Sequence, residues 1–197
     1  MLTLAELRRV VAVLGERVGA RIDKVVQPDP SEVVLHLSGG QDLAPDDRTL
    51  LLLSANPKNA RLSALPRGRK ALPHPLAFAQ YLKAHLDGGR LREIALEGED
   101  RQVRMRVETR DGRFSILVSI LGPRSNLYVL DADDRIVATA RALPDTRRDL
   151  ALGGSWSSPE SGAPREGEDR FASADGRELL DAIEAHYAAA EGLSLIH

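Results

Sequence analysis

A chain of 197 residues with 43% hydrophobic and 28% charged side chains is long enough for one ordinary domain and an extension, and its composition is that of a soluble globular protein. The absence of cysteine removes disulfides, zinc ribbons and thiol nucleophiles together. The total charge of -2 hides an asymmetry: residues 56 to 110 carry twelve Lys or Arg against six acids, a net +6, which leaves -8 for the rest. A basic middle in an acidic chain suits one face that meets phosphates, and an arginine-rich solvated surface is the plainer reading of the same numbers.

The first element is a helix. Thr3 with Glu6 three residues on forms a capping box, and Leu4, Leu7, Val10, Val11, Leu14 and Val18 share one face up to Gly19. Arg21 to Gln27 and Glu32 to Leu37 are β-rich and flank Pro28-Asp29-Pro30-Ser31, a hairpin pattern. Thr49 to Ser54, continuous in leucine, predicts a strand buried on both faces. A basic loop follows. Pro75 and Gly88 then bracket a second helix over Leu76 to Leu86.

The second half reads as β. Arg90 to Leu96 predicts a strand that ends in a Glu99-Asp100-Arg101 turn. In the next strand Val103, Met105, Val107 and Thr109 alternate with Arg104, Arg106, Glu108 and Arg110, so one face is expected to be wet and largely basic. Asp111-Gly112 turns the chain into Phe114 to Ile120, and Asn126 to Leu130 pairs with Arg135 to Ala140. Two helices and about eight strands make an α+β domain, a β-sandwich or open barrel flanked by helices. From residue 144 to 175 periodicity is lost and the composition is that of a linker, with Trp156 as its anchor. Residues 176 to 192 return to a helical stripe through Leu179, Leu180, Ile183 and Tyr187. The last five residues, 193 to 197, depart from that composition and read as a non-native tail on a truncated frame.

No catalytic constellation emerges. His36, His74, His85 and His186 are isolated, without the spacing of a metal site, and there is no GxSxG elbow, P-loop or GxGxxG. Neither N-terminus nor interior holds an apolar run near the ~20 residues of a membrane span, so a cytoplasmic protein is expected.

The order of these elements, the phrases LSANPKNARL (53 to 62) and ILGPRSNLYVLDADDRI (120 to 136), and the placement of Asp100-Arg101 resemble the N-terminal domain of the NFACT family of ribosome quality control factors. The resemblance covers residues 1 to 143. It implies a fold similar to the N-terminal domain of formamidopyrimidine DNA glycosylases, and makes 176 to 192 the start of a coiled-coil arm. It also implies the partners: transfer RNA, alanyl-tRNA above all, and large ribosomal subunits obstructed by peptidyl-tRNA, for alanine tailing of stalled chains. No cofactor, metal, membrane or small-molecule substrate is implied, and the bond-forming centre would be the ribosome's.

The dipeptide Asp-Arg occurs four times here, so position alone distinguishes Asp100-Arg101, which by resemblance engages transfer RNA. A guanidinium fork suits phosphate or a base edge, and a carboxylate can orient it. Glu6 aligns by resemblance with an acidic position, usually Asp, that also serves transfer RNA. Candidate phosphate contacts from the basic segment are Arg61, Arg67, Arg69, Lys70, Arg104 and Arg106. Two other classes remain: a surface adhesin, since part of the family is labelled fibronectin-binding, and a glycosylase. Glycosylases of that fold begin with proline and glutamate after Met, where this chain has Leu2 and Thr3.

Overall fold

The structure, a computed structural model, describes residues 1–159 and 165–196. Helix α1 (Leu4–Leu14) begins at the expected capping box: the Glu6 amide donates to Thr3 Oγ1 at 3.2 Å, and the Thr3 amide donates to Glu6 Oε2 at 2.9 Å. The helix is shorter than its apolar stripe. It tightens into a 3-10 turn at Gly15–Arg17, where Arg17 is buried and donates to the carbonyls of Gly39 and Asp47.

Strands β1 (Arg21–Asp29), β2 (Glu32–Gly40) and β3 (Leu43–Ser54) form an antiparallel meander, and β3 is buried on both faces at its end as its leucine run predicts. Leu51 and Leu53 enter the main core, while Leu52 joins Val26, Val34 and Leu65 in a small cluster on the other side. The basic loop is not all loop. Arg61–Ala64 is a four-residue edge strand, β4, that sends Leu62 into the core. Helix α2 (Ala77–Leu86) buries Phe78, Ala79, Leu82 and Leu86, then stops before Gly88 in the left-handed region at φ +78°.

Strands β5 (Arg90–Leu96), β6 (Gln102–Thr109), β7 (Gly112–Ser119), β8 (Asn126–Leu130) and β9 (Ile136–Thr139) continue as a second meander. The nine strands form one sheet in the order β4-β3-β2-β1-β5-β6-β7-β8-β9. Its two halves bury their inner faces in one core, with Ile22, Leu35 and Leu51 from one half and Met105, Val118 and Val129 from the other, and β3 touches β8 across it. The result is an α+β sandwich made from a single open sheet.

The stretch with a linker's composition is held down at both described ends. A short helix, α3 (Leu143–Thr146), and Trp156 pack beside β8, with the Trp156 ring 4.8 Å from that of Tyr128. Residues 165 to 175 run along α1 and bury Phe171. Helix α4 (Glu178–Ile196) passes through Gly192, and its first turns lay Leu179, Leu180, Ile183 and Tyr187 into the main core. Among the described residues no helix is long and apolar enough to cross a membrane.

Candidate nucleic-acid interface

The turn between β5 and β6 is built by its own backbone. Glu97 and Gln102 close it through a 2.8 Å amide-to-carbonyl bond, Gly98 takes φ +64°, and the Arg101 amide donates to Asp100 Oδ1 at 2.7 Å. The Arg101 carbonyl accepts from the Ile120 amide, which ties the turn to the end of β7. Asp100 and Arg101 emerge half-buried into a cleft of about 540 Å³ whose other walls include Met1, Leu121, Arg124, Arg165 and Gly167. Among the described residues lining it, Arg101, Arg124 and Arg165 bring three guanidinium groups to one side-chain carboxylate, that of Asp100. That is the polarity a phosphate ligand requires. Burial, with Arg170 nearby, holds the Met1 amine below its usual pKa.

Glu6 lies behind this cleft, not in it. Its carboxylate is fully buried and accepts from the Arg170 amide, from Arg170 Nε and Nη2, and from the Thr3 amide, at 2.9 to 3.0 Å. Burial pushes the Glu6 pKa up, but the bonds from Arg170 and Thr3 outweigh it and leave the carboxyl below its usual range. Arg170 also donates to the Met1 carbonyl and to Tyr187. Glu6 therefore joins three parts of the chain: the amino end, the 165–175 segment and α4. A Cβ on Gly167 would fall 2.8 Å from Thr3 Cβ, so the segment lies against the helix start as closely as backbone allows. Glu6, expected to serve transfer RNA, is thus placed in the wall behind the cleft, with its carboxylate engaged by Arg170 and Thr3.

Two of the candidate phosphate contacts are likewise buried and paired with carboxylates. Arg61 is fully buried, donating to Glu184 at 3.1 Å and Glu191 at 3.1 Å, with its guanidinium over the Tyr187 ring. Arg104, in the strand read as having a wet basic face, is buried beneath the β8–β9 turn, with two bonds to Glu97 and a 2.7 Å bond to Asp134. Both are held as cations by carboxylates. Arg69 is partly exposed and engaged with Glu184 and Glu32, and exposed Arg106 pairs with Glu93 at 3.0 Å. Arg67 and Lys70 are exposed on the loop after β4 and are not among the residues that line the Asp100–Arg101 cleft.

Arg124 and Arg165 lie outside the basic segment that sequence reasoning singled out. The signal for Arg124 was present in the ILGPRSN phrase; Arg165 stands in a stretch with no periodicity to place it. Among the described residues no group of three or more His, Asp or Glu could hold a metal ion. Leu2, at the position where a glycosylase nucleophile would stand, is fully buried in the core.

The family described as "NFACT N-terminal and middle domains" matches residues 3–185. The chain belongs to the NFACT family. Curated NFACT relatives include the protein named Rqc2 homolog RqcH of Bacillus subtilis (strain 168), 29% identical over 130 residues, which are 63% of this chain and 22% of that protein. Rqc2 homolog RqcH of Streptococcus pneumoniae serotype 2 is 27% identical over 122 residues, 59% of this chain and 21% of the relative. The chain thus spans about a fifth of the length of these relatives. Among solved NFACT-like structures, the N-terminal domain of fibronectin-binding protein PavA from Streptococcus pneumoniae aligns at TM-score 0.72 with 20% identity, over 99% of this chain and 83% of that one. The N-terminal part of the fibronectin/fibrinogen-binding protein from Streptococcus suis aligns at 0.71 with 23% identity, over 82% and 62%. These two likenesses establish the shared fold.

Proposed function

We propose that this chain is the transfer-RNA-engaging part of a ribosome quality control factor of the NFACT family. In this reading it binds transfer RNA, alanyl-tRNA in particular, on cytoplasmic large ribosomal subunits that carry peptidyl-tRNA, and so serves alanine tailing of stalled chains. It acts by binding and positioning; peptide-bond chemistry stays with the ribosome, and the chain is not itself an enzyme. The observation that carries the reading is the convergence of Asp100 and Arg101 with Arg124 and Arg165 in one cleft. The names of the curated relatives favour the same class. The second reading, fibronectin binding, has the names of the solved neighbours in its favour.

Transfer-RNA binding by the 197-residue chain separates the two. Arg101→Ala and Asp100→Asn, the latter keeping an acceptor for the turn, are each expected to weaken binding by one to two orders of magnitude, as loss of a charge-assisted contact worth ~1 to 3 kcal/mol would. Stability should move by less than about 0.5 kcal/mol, because neither side chain packs in the core. Arg110→Ala, on the exposed β6–β7 turn, serves as the control and should bind normally. Retention of fibronectin by a chain that does not bind transfer RNA would establish the second reading and sink the first.

A further inference from the structure

Arg124 stands where two openings meet. Besides the Asp100–Arg101 cleft it lines a second one of about 580 Å³, walled by Thr146, Arg147, Arg148 and Asp149. Both volumes fall in the ~300 to 1,000 Å³ range of ordinary ligand sites.

The chain invests heavily in presenting this one side chain. Gly122 turns the backbone in the left-handed region at φ +60°, and the 3-10 turn Gly122–Arg124 closes through bonds from the Arg124 amide to the Leu121 carbonyl and from the Ser125 amide to the Gly122 carbonyl. Arg141 then clamps the turn from outside, donating to the Pro123 carbonyl at 3.0 Å and the Ser125 carbonyl at 2.6 Å. Asn126, fully buried, accepts from the Arg141 amide and donates to Thr146 Oγ1, which couples the turn to α3 and hence to the wall of the second opening. After all this the Arg124 head is exposed and makes no hydrogen bond or ion pair among the described residues. Its neighbour Arg147 is the opposite case: buried, bound to both Asp149 oxygens and to the Ser157 carbonyl, and set against Trp156. Arg148 is exposed and uses only Nε, on the Pro144 carbonyl.

We infer that the two openings are one track for a nucleic-acid backbone, with Arg124 as the phosphate contact at the point where they join and Arg148 beyond it. The inference rests on the RNA reading above and extends it. Arg101 and Arg165 lead into Arg124, and Arg148 leads out. Among the described residues the acids lining the path are Asp100, Asp145 and Asp149, the last paired with Arg147. A run of cations at separate points fits a polyanion with repeating charges better than a single small anion. Among the described residues neither opening is lined by an aromatic ring to stack on a base, and the contact is to the sugar–phosphate chain, which positions without reading sequence.

The test uses the 197-residue chain with two probes, a transfer RNA and an unrelated RNA hairpin, and measures Kd across a salt series. Arg124→Ala should weaken binding of both probes by about tenfold and reduce the slope of log K against log salt by about 0.7 to 0.9, the loss of one phosphate contact. Arg124→Lys, which keeps the charge, should restore the slope, and Arg148→Ala should give a smaller loss in the same direction. Melting temperatures of all three should match the parent. If Arg124→Ala binds like the parent while Arg101→Ala is impaired, the track is wrong and the cleft reading stands. If the loss is confined to one probe, Arg124 reads bases and the backbone assignment is wrong. If the parent chain binds neither probe, the RNA reading fails and the track falls with it.

Discussion

Two sets of arginines divide this molecule. Arg61, Arg104 and Arg170 have their guanidinium groups committed to Glu184, Glu97 with Asp134, and Glu6. Arg101, Arg124 and Arg165 line an open cleft where, among the described residues, Asp100 brings the one side-chain carboxylate. The residue type is the same, and what differs is whether the fold supplies a carboxylate. In the first set the cation is a fastener that joins segments distant in sequence, such as β4 to α4; in the second the unmet charge is what remains to be offered to a ligand. Counting positive charge along a sequence therefore overstates a binding face wherever folding brings acids to it.

The largest expected effect comes from treating a fastener as though it were a surface charge. Arg61→Ala leaves Glu184 buried with only Ser63 and the partly exposed Arg69 to answer it. A loss of about 3 kcal/mol in urea unfolding is expected, since removing one partner of a buried pair strands the other. A loss below about 0.5 kcal/mol would mean that Arg61 is dispensable, and the division would blur.

Glu6→Gln should cost about 1 to 2 kcal/mol, less than Arg61→Ala because Arg170 is partly solvated and can be rehydrated. The pH dependence gives the sharper readout. A carboxyl with a depressed folded-state pKa contributes stability that is present above its unfolded pKa of about 4.3 and is lost as pH falls through the folded value. The difference in unfolding free energy between parent and Glu6→Gln should therefore narrow as the pH is lowered below about 4. A constant gap would show that the carboxylate charge is not what holds the 165–175 segment.

The smallest effect runs the other way. Glu32 is buried, and burial pushes its pKa up against the weaker pull of Ser54, Arg61 and Arg69. A raised folded-state pKa means a contribution that is present at low pH and is lost as pH rises through that value. Glu32→Gln should thus be neutral or stabilising by up to about 1 kcal/mol at pH 7, by calorimetry. Clear destabilisation would place Glu32 among the needed partners of Arg69.

Local chemistry made the frame legible. The Thr3–Glu6 box, the Asp111-Gly112 turn and the leucine run before Ser54 each act within a few residues, and each appears in the structure where the pattern puts it. The Asp100-Arg101 turn was visible for the same reason. What the sequence could not convey depends on contacts across the fold. Alternation put Arg104 on the outer face of β6 correctly, but nothing local says that the turn carrying Asp134 would cover it. Likewise Glu6 reads as a capping residue, and its partner Arg170 lies 164 positions away. Strand β4 has only four residues, too short a run for periodicity to register.

The sheet order has a consequence for how the chain assembles. Strands β1 to β4 and β5 to β9 each follow one another in space as they do in sequence, so nearly every strand pairing closes a short loop. The two meanders meet where Arg21 pairs with Arg90, with backbone bonds between residues 19–22 and 88–91 on either side, whereas α4 and the 165–175 segment reach back 120 residues or more to β4 and α1. Pairings that close short loops form early, and distant ones wait. Two independently zipped ribbons, latched late by Arg170 and Glu184, is the folding order this topology dictates, and amide exchange should find the latch opening before either ribbon does.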